Sequence, residues 1–304
     1  MISASVPWLN APARETPRER KPPWFKAPFP AGERFGYIKD LLREQSLHTV
    51  CEEARCPNIG ECFNAGTATF MILGDTCTRA CGYCAVKSGH PTEGIDLLEP
   101  LRLAQTVATL GLDYAVITSV NRDDLEDGGA SAFAACIRAV RHARPTCDVE
   151  VLIPDFMGNV EALRAVLDAG PVVLNHNTET VPRLYRGVRS RGDYARTLDV
   201  FRHTREIAPE IPRKTGIMLG LGETAEELEA VFADLREVGV TLLTLGQYLR
   251  PTPKHLSVVE YVHPDEFARL RDFALGLGFR HVEAGPLVRS SYHARAQAEA
   301  GGAG

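Results

Sequence analysis

From residue 68 onward the apolar positions of the chain fall into two alternating rhythms. Short apolar runs at 68–73, 114–119, 149–153, 172–177, 216–221 and 242–248 read as buried strands. Between and after them, 130–143, 160–169, 194–207, 225–238 and 264–277 carry their apolar residues at helical spacing. Parallel strands need a crossover of about a dozen residues, usually helical, so this alternation predicts an α/β fold with right-handed βα units. Six such units point to a partial (β/α)6 barrel, because a complete eight-unit barrel normally needs more chain; a flat doubly wound sheet is the alternative. Upstream, a short helix is expected at 36–44. Pro57, Asn58 and Gly60 then break the pattern and predict a loop.

Composition narrows the class. The 304 residues are 44% hydrophobic and 24% charged, as in a soluble enzyme of one large or two small domains. A formal charge of −5 argues against nucleic acid as the main partner, although local basic patches can meet an acidic protein. No run of eighteen apolar residues suggests a membrane span. The first residues lack a signal-peptide core, and Glu15 and Glu19 interrupt any transit-type helix, so a cytoplasmic location is expected. Residues 1–30, rich in proline and charge, read as an extended tail in which Trp24 and Phe25 either tuck onto the body or help cover the active site.

Chemistry concentrates between residues 51 and 84, which hold six of the eight cysteines. Cys51, Cys56 and Cys62 are spaced C-x4-C-x5-C, and Cys77, Cys81 and Cys84 C-x3-C-x2-C. In a chain without an export signal, such clusters argue for metal rather than disulfides. Zinc needs a fourth ligand for each triplet, such as His90 or a serine. A four-iron cluster held by three thiolates leaves one iron open. Cys136, on an apolar helix face, and Cys147 lack a second cysteine at ligand spacing and read as packing residues.

In parallel-strand enzymes the working groups gather at strand C-terminal ends. Ser119, Asn121, Arg122, Asp123 and Asp124 follow the second predicted strand, Asn175, His176 and Asn177 end the fourth, and Gln247 to Arg250 end the sixth. The second triplet follows the first. These residues are expected at the cavity rim, with helix capping by the aspartates and a core role for His176 as the plainer alternatives. Gly216 and Gly220 around the fifth strand allow close backbone approach to a ligand, or simply serve a turn. Glu223 is available to a helix N-terminus. Lys214, Arg186, Arg189, Arg191 and Arg250 read as mostly solvated, with some able to bind a carboxylate. Arg289-Ser290-Ser291-Tyr292 reads as a turn, and 294–304 as disordered.

The Cys77-Thr78-Arg79-Ala80-Cys81-Gly82-Tyr83-Cys84 stretch resembles the signature of the radical S-adenosylmethionine (SAM) superfamily, including the aromatic Tyr83 before the third cysteine. A narrower resemblance, to the lipoyl synthase family, rests on Glu53-Ala54-Arg55-Cys56-Pro57-Asn58-Ile59-Gly60-Glu61-Cys62, Ala68 to Asp75, Thr118 to Leu125, Asn175 to Thr180, Gly246 to Thr252 and Arg289 to Tyr292. It spans roughly residues 22 to 293.

The resemblance implies an open radical-SAM barrel with N-terminal and C-terminal extensions covering its open end. The expected divisions are 1–50 as N-terminal extension, 51–66 as auxiliary-cluster loop, 67–278 as barrel, and 279–304 as C-terminal strand and tail. It implies two 4Fe-4S clusters, one on Cys77, Cys81 and Cys84 and one on Cys51, Cys56, Cys62 and Ser291, with Ser290 as the one-residue alternative. SAM would be contacted by Tyr83, Ser119, Asn121, Arg122, Asp123, Asn175, Asn177, Gly216, Met218 and Gly220. The implied activity is a radical SAM sulfurtransferase inserting two sulfurs at C6 and C8 of a protein-bound octanoyl-lysine, with the auxiliary cluster as donor. Implied partners are an octanoylated carrier (glycine cleavage H protein or 2-oxoacid dehydrogenase E2), an electron donor such as ferredoxin or flavodoxin, and an iron–sulfur cluster carrier. A sulfurtransferase of the biotin synthase type and a non-catalytic cluster carrier are the rival readings.

Overall fold

The computed structural model describes residues 21–26, 33–54, 56–64, 67–92 and 94–302, so most of the proline-rich tail, and Arg55 of the first triplet's motif, lie outside the described residues. Helix α1 (Glu33–Glu44) leads through β1 (His48–Thr49), α2 (Val50–Glu53) and α3 (Ile59–Asn64) to the buried strand β2 (Thr69–Ile72). A small parallel pair, β3 (Thr76–Cys77) and β4 (Lys87–Ser88), precedes α4 (Glu99–Leu110). Strands and helices then alternate through β5 (Tyr114–Ser119), α5 (Ala130–Ala143), β6 (Asp148–Leu152), α6 (Val160–Leu167) and β7 (Val173–Asn175). After α7 (Tyr185–Val188) and α8 (Tyr194–Ile207) come β8 (Arg213–Leu219), α9 (Ala225–Glu237), β9 (Leu242–Gln247), α10 (Pro264–Gly276), β10 (His281–Gly285) and α11 (Ala294–Ala300).

Local chemistry explains the helix starts. Thr224 and Glu227 close a reciprocal capping box on α9, Asp193 accepts from the Arg196 amide at the head of α8, and Asn159 does the same for Ala162 in α6. The sequence reading missed α4, although Pro100 opens it and Gly111, at φ 64°, ends it in the left-handed conformation. The Asp124 carboxylate pairs with Arg122, and Asp127 accepts from the Gly129 and Ser131 amides at the head of α5. Glu223 does not cap α9: its carboxylate accepts from the Gly220 and Leu221 amides.

One sheet runs β1-β2-β5-β6-β7-β8-β9-β10, parallel throughout except for β1, and stays open between β1 and β10. Six strands carry the expected βα units, and β10 adds a seventh parallel strand at the C-terminal side. A large apolar core joins the helices to the sheet. A second, smaller cluster of Tyr114, Val116, Val173 and Leu242 closes on Ala294 and Ala298. Residues 294–300 are thus an ordered helix rather than the disordered tail expected, because their small side chains have an apolar seat inside the barrel.

Strand β8 begins three residues before the expected 216, with Arg213, Lys214 and Thr215 all buried. Polar residues enter this strand because the barrel interior supplies partners: Lys214 is fully buried, its Nζ 3.1 Å from Glu150, which also accepts from the Tyr114 hydroxyl and the Asn175 amide. The solvated role expected of Lys214 does not hold. Among the described residues, no helix is long and apolar enough to cross a membrane.

Candidate active site

The second triplet lies where β2 hands the chain to the loop 73–86. Cys77 Sγ accepts backbone N–H bonds from Arg79 at 3.4 Å and from Asn121 at 3.3 Å. The loop is fastened to the β5 exit by Thr78, whose amide and hydroxyl both donate to the Asn121 carbonyl at 3.0 Å. Arg79, only 3% exposed, donates twice to Asp123 at 2.8 Å and twice to Asp155 at 2.5 and 3.1 Å. Burial alone would raise the Asp155 carboxyl, but hydrogen bonds and charge from Arg79 hold it well below the usual carboxylate range. Asp123, expected against SAM, is here engaged by Arg79.

On the far side, the Gly82 amide donates to Val188 O, the Leu256 amide to Gly82 O, and His255 Nε2 lies 2.9 Å from Cys84 O. A Cβ on Gly82 would meet Leu256 at 2.8 Å, so only glycine permits this contact without the leucine shifting. The segment carrying His255 and Leu256 is held by Gln247, which donates to Glu260 O and accepts from the Val262 amide, and by the Tyr248 hydroxyl on Leu256 O. Arg250 donates to His255 O and Pro253 O. Residues expected at the cavity rim therefore build the wall that steadies the cysteine loop. Trp24 packs on His263 and Phe25 on Tyr261, centroids 5.0 and 5.4 Å apart, so the tail's aromatics brace that same wall.

Inside the barrel mouth, the buried Ser119 Oγ and the Oδ1 atoms of Asn121, Asn175 and Asn177 have no hydrogen-bond partner. A buried polar atom without a partner costs about 1–3 kcal/mol, so these four groups, at or just past the ends of β5 and β7, fit a polar ligand such as SAM. All four were singled out from sequence. Gly216 gives room beside them, since a Cβ there would lie 2.8 Å from Asn177 Oδ1 and 2.9 Å from Thr244 Oγ1. Gly220, at φ 92°, leaves no room for a Cβ beside Gln247 and the Glu260 carbonyl. Met218, half-buried, leans against the same core.

Sequence reasoning assigned no role to Glu179, which takes φ 70°, accepts from Asn177 Nδ2 at 3.0 Å and is raised by burial, against Arg189 and Tyr83. Its left-handed backbone in a parallel bridge to Ile217 is a tertiary feature; the motif 175–180 was the only trace. Arg189 is likewise no solvated residue: it donates to Asn177 O at 2.7 Å. Arg191, exposed, lies 3.8 Å from Asp123. His176 takes the plainer role of a core histidine, bonded to Ile153 O at 2.8 Å and pushed down to about 3 by burial and by Arg189.

The first triplet is shared between α2, α3 and their junction. Burial and mutual repulsion push Cys51 up to about 11 and Cys62 up to about 12, and burial raises Cys56. In the second triplet Cys84 is pushed up to about 12, by burial first. Thiols grouped where they resist ionisation fit a cationic centre, whose binding displaces their protons. Among the described residues no group of three His, Cys, Asp or Glu side chains is placed to hold a single metal ion; the soft donor sets, three thiols to a triplet, suit iron–sulfur ligation.

The C-terminal segment packs over this triplet. Asn58 Nδ2 donates to Leu287 O at 2.7 Å, and the Tyr292 hydroxyl to Glu61 at 3.0 Å. Arg289, half-buried near Cys56, donates to Gln247 O at 3.2 Å; desolvation lowers its pKa, against the charge of Cys56. Asn177 Nδ2, from the ligand pocket, lies 3.5 Å from Ser290 Oγ. One short stretch thus runs from the first triplet's segment to Asn177 beyond β7.

Residues 71–235 match the radical SAM superfamily, and residues 9–56 match the N-terminal domain of lipoyl synthase of the radical SAM family. A lipoyl synthase of Rubrobacter xylanophilus is 57% identical over 286 residues, covering 94% of this chain and 89% of its own length. One from Koribacter versatilis is 58% identical over 278 residues, covering 91% of each. In fold, the chain is similar to the FeFe-hydrogenase maturase HydG from Carboxydothermus hydrogenoformans, with a TM-score of 0.55 at 15% identity, over 89% of this chain and 78% of that one. It is also similar to methylornithine synthase, with a TM-score of 0.53 at 13% identity, over 81% of each.

Proposed function

The chain belongs to the lipoyl synthase family of radical SAM enzymes, and on that premise we propose that its two triplets divide the work of inserting two sulfurs into a carrier-bound octanoyl chain. When bound, SAM and a 4Fe-4S cluster at Cys77, Cys81 and Cys84 supply hydrogen abstraction at C6 and C8, and a second 4Fe-4S cluster at Cys51, Cys56 and Cys62 supplies sulfide. The substrate is an octanoylated carrier protein. The glycine cleavage H protein or a 2-oxoacid dehydrogenase E2, a ferredoxin or flavodoxin as reductant, and an iron–sulfur carrier for rebuilding complete the reading.

The chain's own residues prepare this chemistry. N–H groups of Arg79 and Asn121 donate to Cys77 Sγ and fix its position in the loop. Ser119, Asn121, Asn175 and Asn177 orient the ligand with polar atoms that lack partners inside the protein. Leu256, seated on Gly82, and the 250–263 wall exclude water from the cysteine loop.

The observation that carries the reading is the stretch 287–293, bonded to Asn58 and Glu61 on one side and reaching Asn177 on the other. It supports Ser291 as fourth ligand of the first triplet, since the neighbouring Ser290 hydroxyl faces Asn177. The test is anaerobic reconstitution, iron and sulfide counting, and mass analysis of an octanoyl-lysine peptide. Two sulfurs gained by the peptide are expected. Ser291→Ala should retain 5′-deoxyadenosine formation and lose sulfur insertion, whereas Ser290→Ala should form product; a chain holding one cluster with Cys51, Cys56 and Cys62 as free thiols overturns the assignment.

A further inference from the structure

We propose that α11 is a plug seated in the lower end of the barrel, and that it holds the 287–293 segment in register with the first cysteine triplet. This rests on the reading that Ser291 completes that triplet.

Three observations place the helix. Ala294, Gln297 and Ala298 are at most 3% exposed. Their apolar neighbours Tyr114, Val116, Val173 and Leu242 belong to the first residues of β5, β7 and β9, at the end of the sheet opposite the cysteine loop. Gly301 closes in further: a Cβ on it would lie 2.7 Å from Leu242, and its carbonyl accepts from Arg280 Nη1 at 2.8 Å. The small residues at 294, 298 and 301 let the helix approach strands that bulkier side chains would keep away.

Gln297 ties the plug to the serine segment twice, its amide donating to the His293 carbonyl at 3.0 Å and its side chain reaching one residue further back. Gln297 Nε2 donates to the Tyr292 carbonyl at 2.5 Å, across the left-handed turn at His293 (φ 51°, ψ 34°). Tyr292 in turn donates to Glu61, one residue from Cys62. Residues 286–293 have no regular structure of their own beyond turns, so their position depends on β10 before them, α11 after them and their bonds to Asn58, Gln247 and Glu61. Freeing the second anchor returns conformational entropy to each released residue, which the remaining bonds to Asn58 and Glu61 oppose only in part. Gln297 is therefore a positioning residue acting through Tyr292.

The test compares the full chain with one ending after His293, which keeps Arg289 to His293 intact, and with Gln297→Leu. After anaerobic reconstitution, iron, acid-labile sulfide and 5′-deoxyadenosine formation are measured together. The full chain should hold about eight iron atoms, as two four-iron clusters. The shortened chain should hold roughly half, still form 5′-deoxyadenosine, and yield no lipoyl product; Gln297→Leu should lose first-triplet iron several-fold faster on chelator challenge. A shortened chain with full iron, full sulfide and undiminished product overturns the proposal. If shortening also abolishes SAM cleavage, Gln297→Leu decides, and unchanged chelator resistance in that variant overturns it. A full chain holding only one cluster would instead remove the premise about Ser291.

Discussion

Arg79 occupies a position that the cysteine spacing leaves unspecified, yet it is the side chain on which the second triplet's loop hangs. Its guanidinium saturates two carboxylates, Asp123 and Asp155, from two different strand exits, and Arg196 adds a further bond to Asp155 at 3.1 Å. Replacing it leaves both carboxylates without their main counter-charge, and Asp155 is 2% exposed. Arg79→Met should therefore cost about 3–5 kcal/mol, the range for breaking a buried ion pair by removing one partner. Urea unfolding of the metal-free protein measures this, and a loss under about 1 kcal/mol would show that the pairs contribute nothing net. Lysine should rescue poorly, because it cannot donate to two carboxylates as a planar fork. The sequence displayed Arg79 but not its partners, 44 and 76 residues away.

Among elements, the wall at 250–263 and the helix α11 were the least legible. Gln247, Tyr248 and Arg250 looked like rim residues because they end a strand, but their polar atoms bond to backbone of the following segment. That segment reaches Gly82, where the contact with Leu256 is tight. Gly82→Val should displace the cysteine loop and lower iron bound at the second triplet several-fold, with the first triplet's iron kept; chelator-resistant iron and the rate of 5′-deoxyadenosine formation are the measurements. Tyr248→Phe removes the hydroxyl on Leu256 O, and a net cost of about 1 kcal/mol with a raised KM for SAM is expected. Helix α4 escaped the pattern because Leu98 and Leu101 are 62% and 53% exposed, which blurs its apolar face. Strand β8 was shortened because Arg213, Lys214 and Thr215 look like loop residues until the fold supplies partners, Glu150 for Lys214 and backbone carbonyls for Arg213 and Thr215.

For the molecule as a whole, His176 and Asp155 lose stability in acid, while Glu99, Glu179 and Glu223, raised by burial, act in the opposite sense at lower pH. His176 is held neutral, pushed down to about 3, so the unfolded chain gains a proton near pH 6.5 that the native chain refuses. The His176 contribution is present above that pH and declines below it, at about 1.4 kcal/mol per pH unit. Asp155 acts with the same sign from about pH 4 downward, because its native pKa is depressed by Arg79. Unfolding free energy of the metal-free protein, measured from pH 7.5 to 5, should fall with a slope near one proton below pH 6.5, and His176→Asn should flatten it. A slope that His176→Asn leaves unchanged would mean that His176 is not held neutral in the native state.

What the chain alone determined was everything written in neighbouring residues: the two thiol spacings, the alternation of strand and helix that makes an open parallel barrel, and the placing of Ser119, Asn121, Asn175 and Asn177 at or just past strand ends. Those features follow from backbone period and ligand count, which a local window contains. The tertiary structure alone decided what each exposed-looking charge would meet. Lys214 found Glu150, Arg79 found Asp155, and an alanine-rich tail found the floor of the barrel, because pairing across 64 to 76 residues and more depends on how strands stack and leaves no trace in the period of either partner.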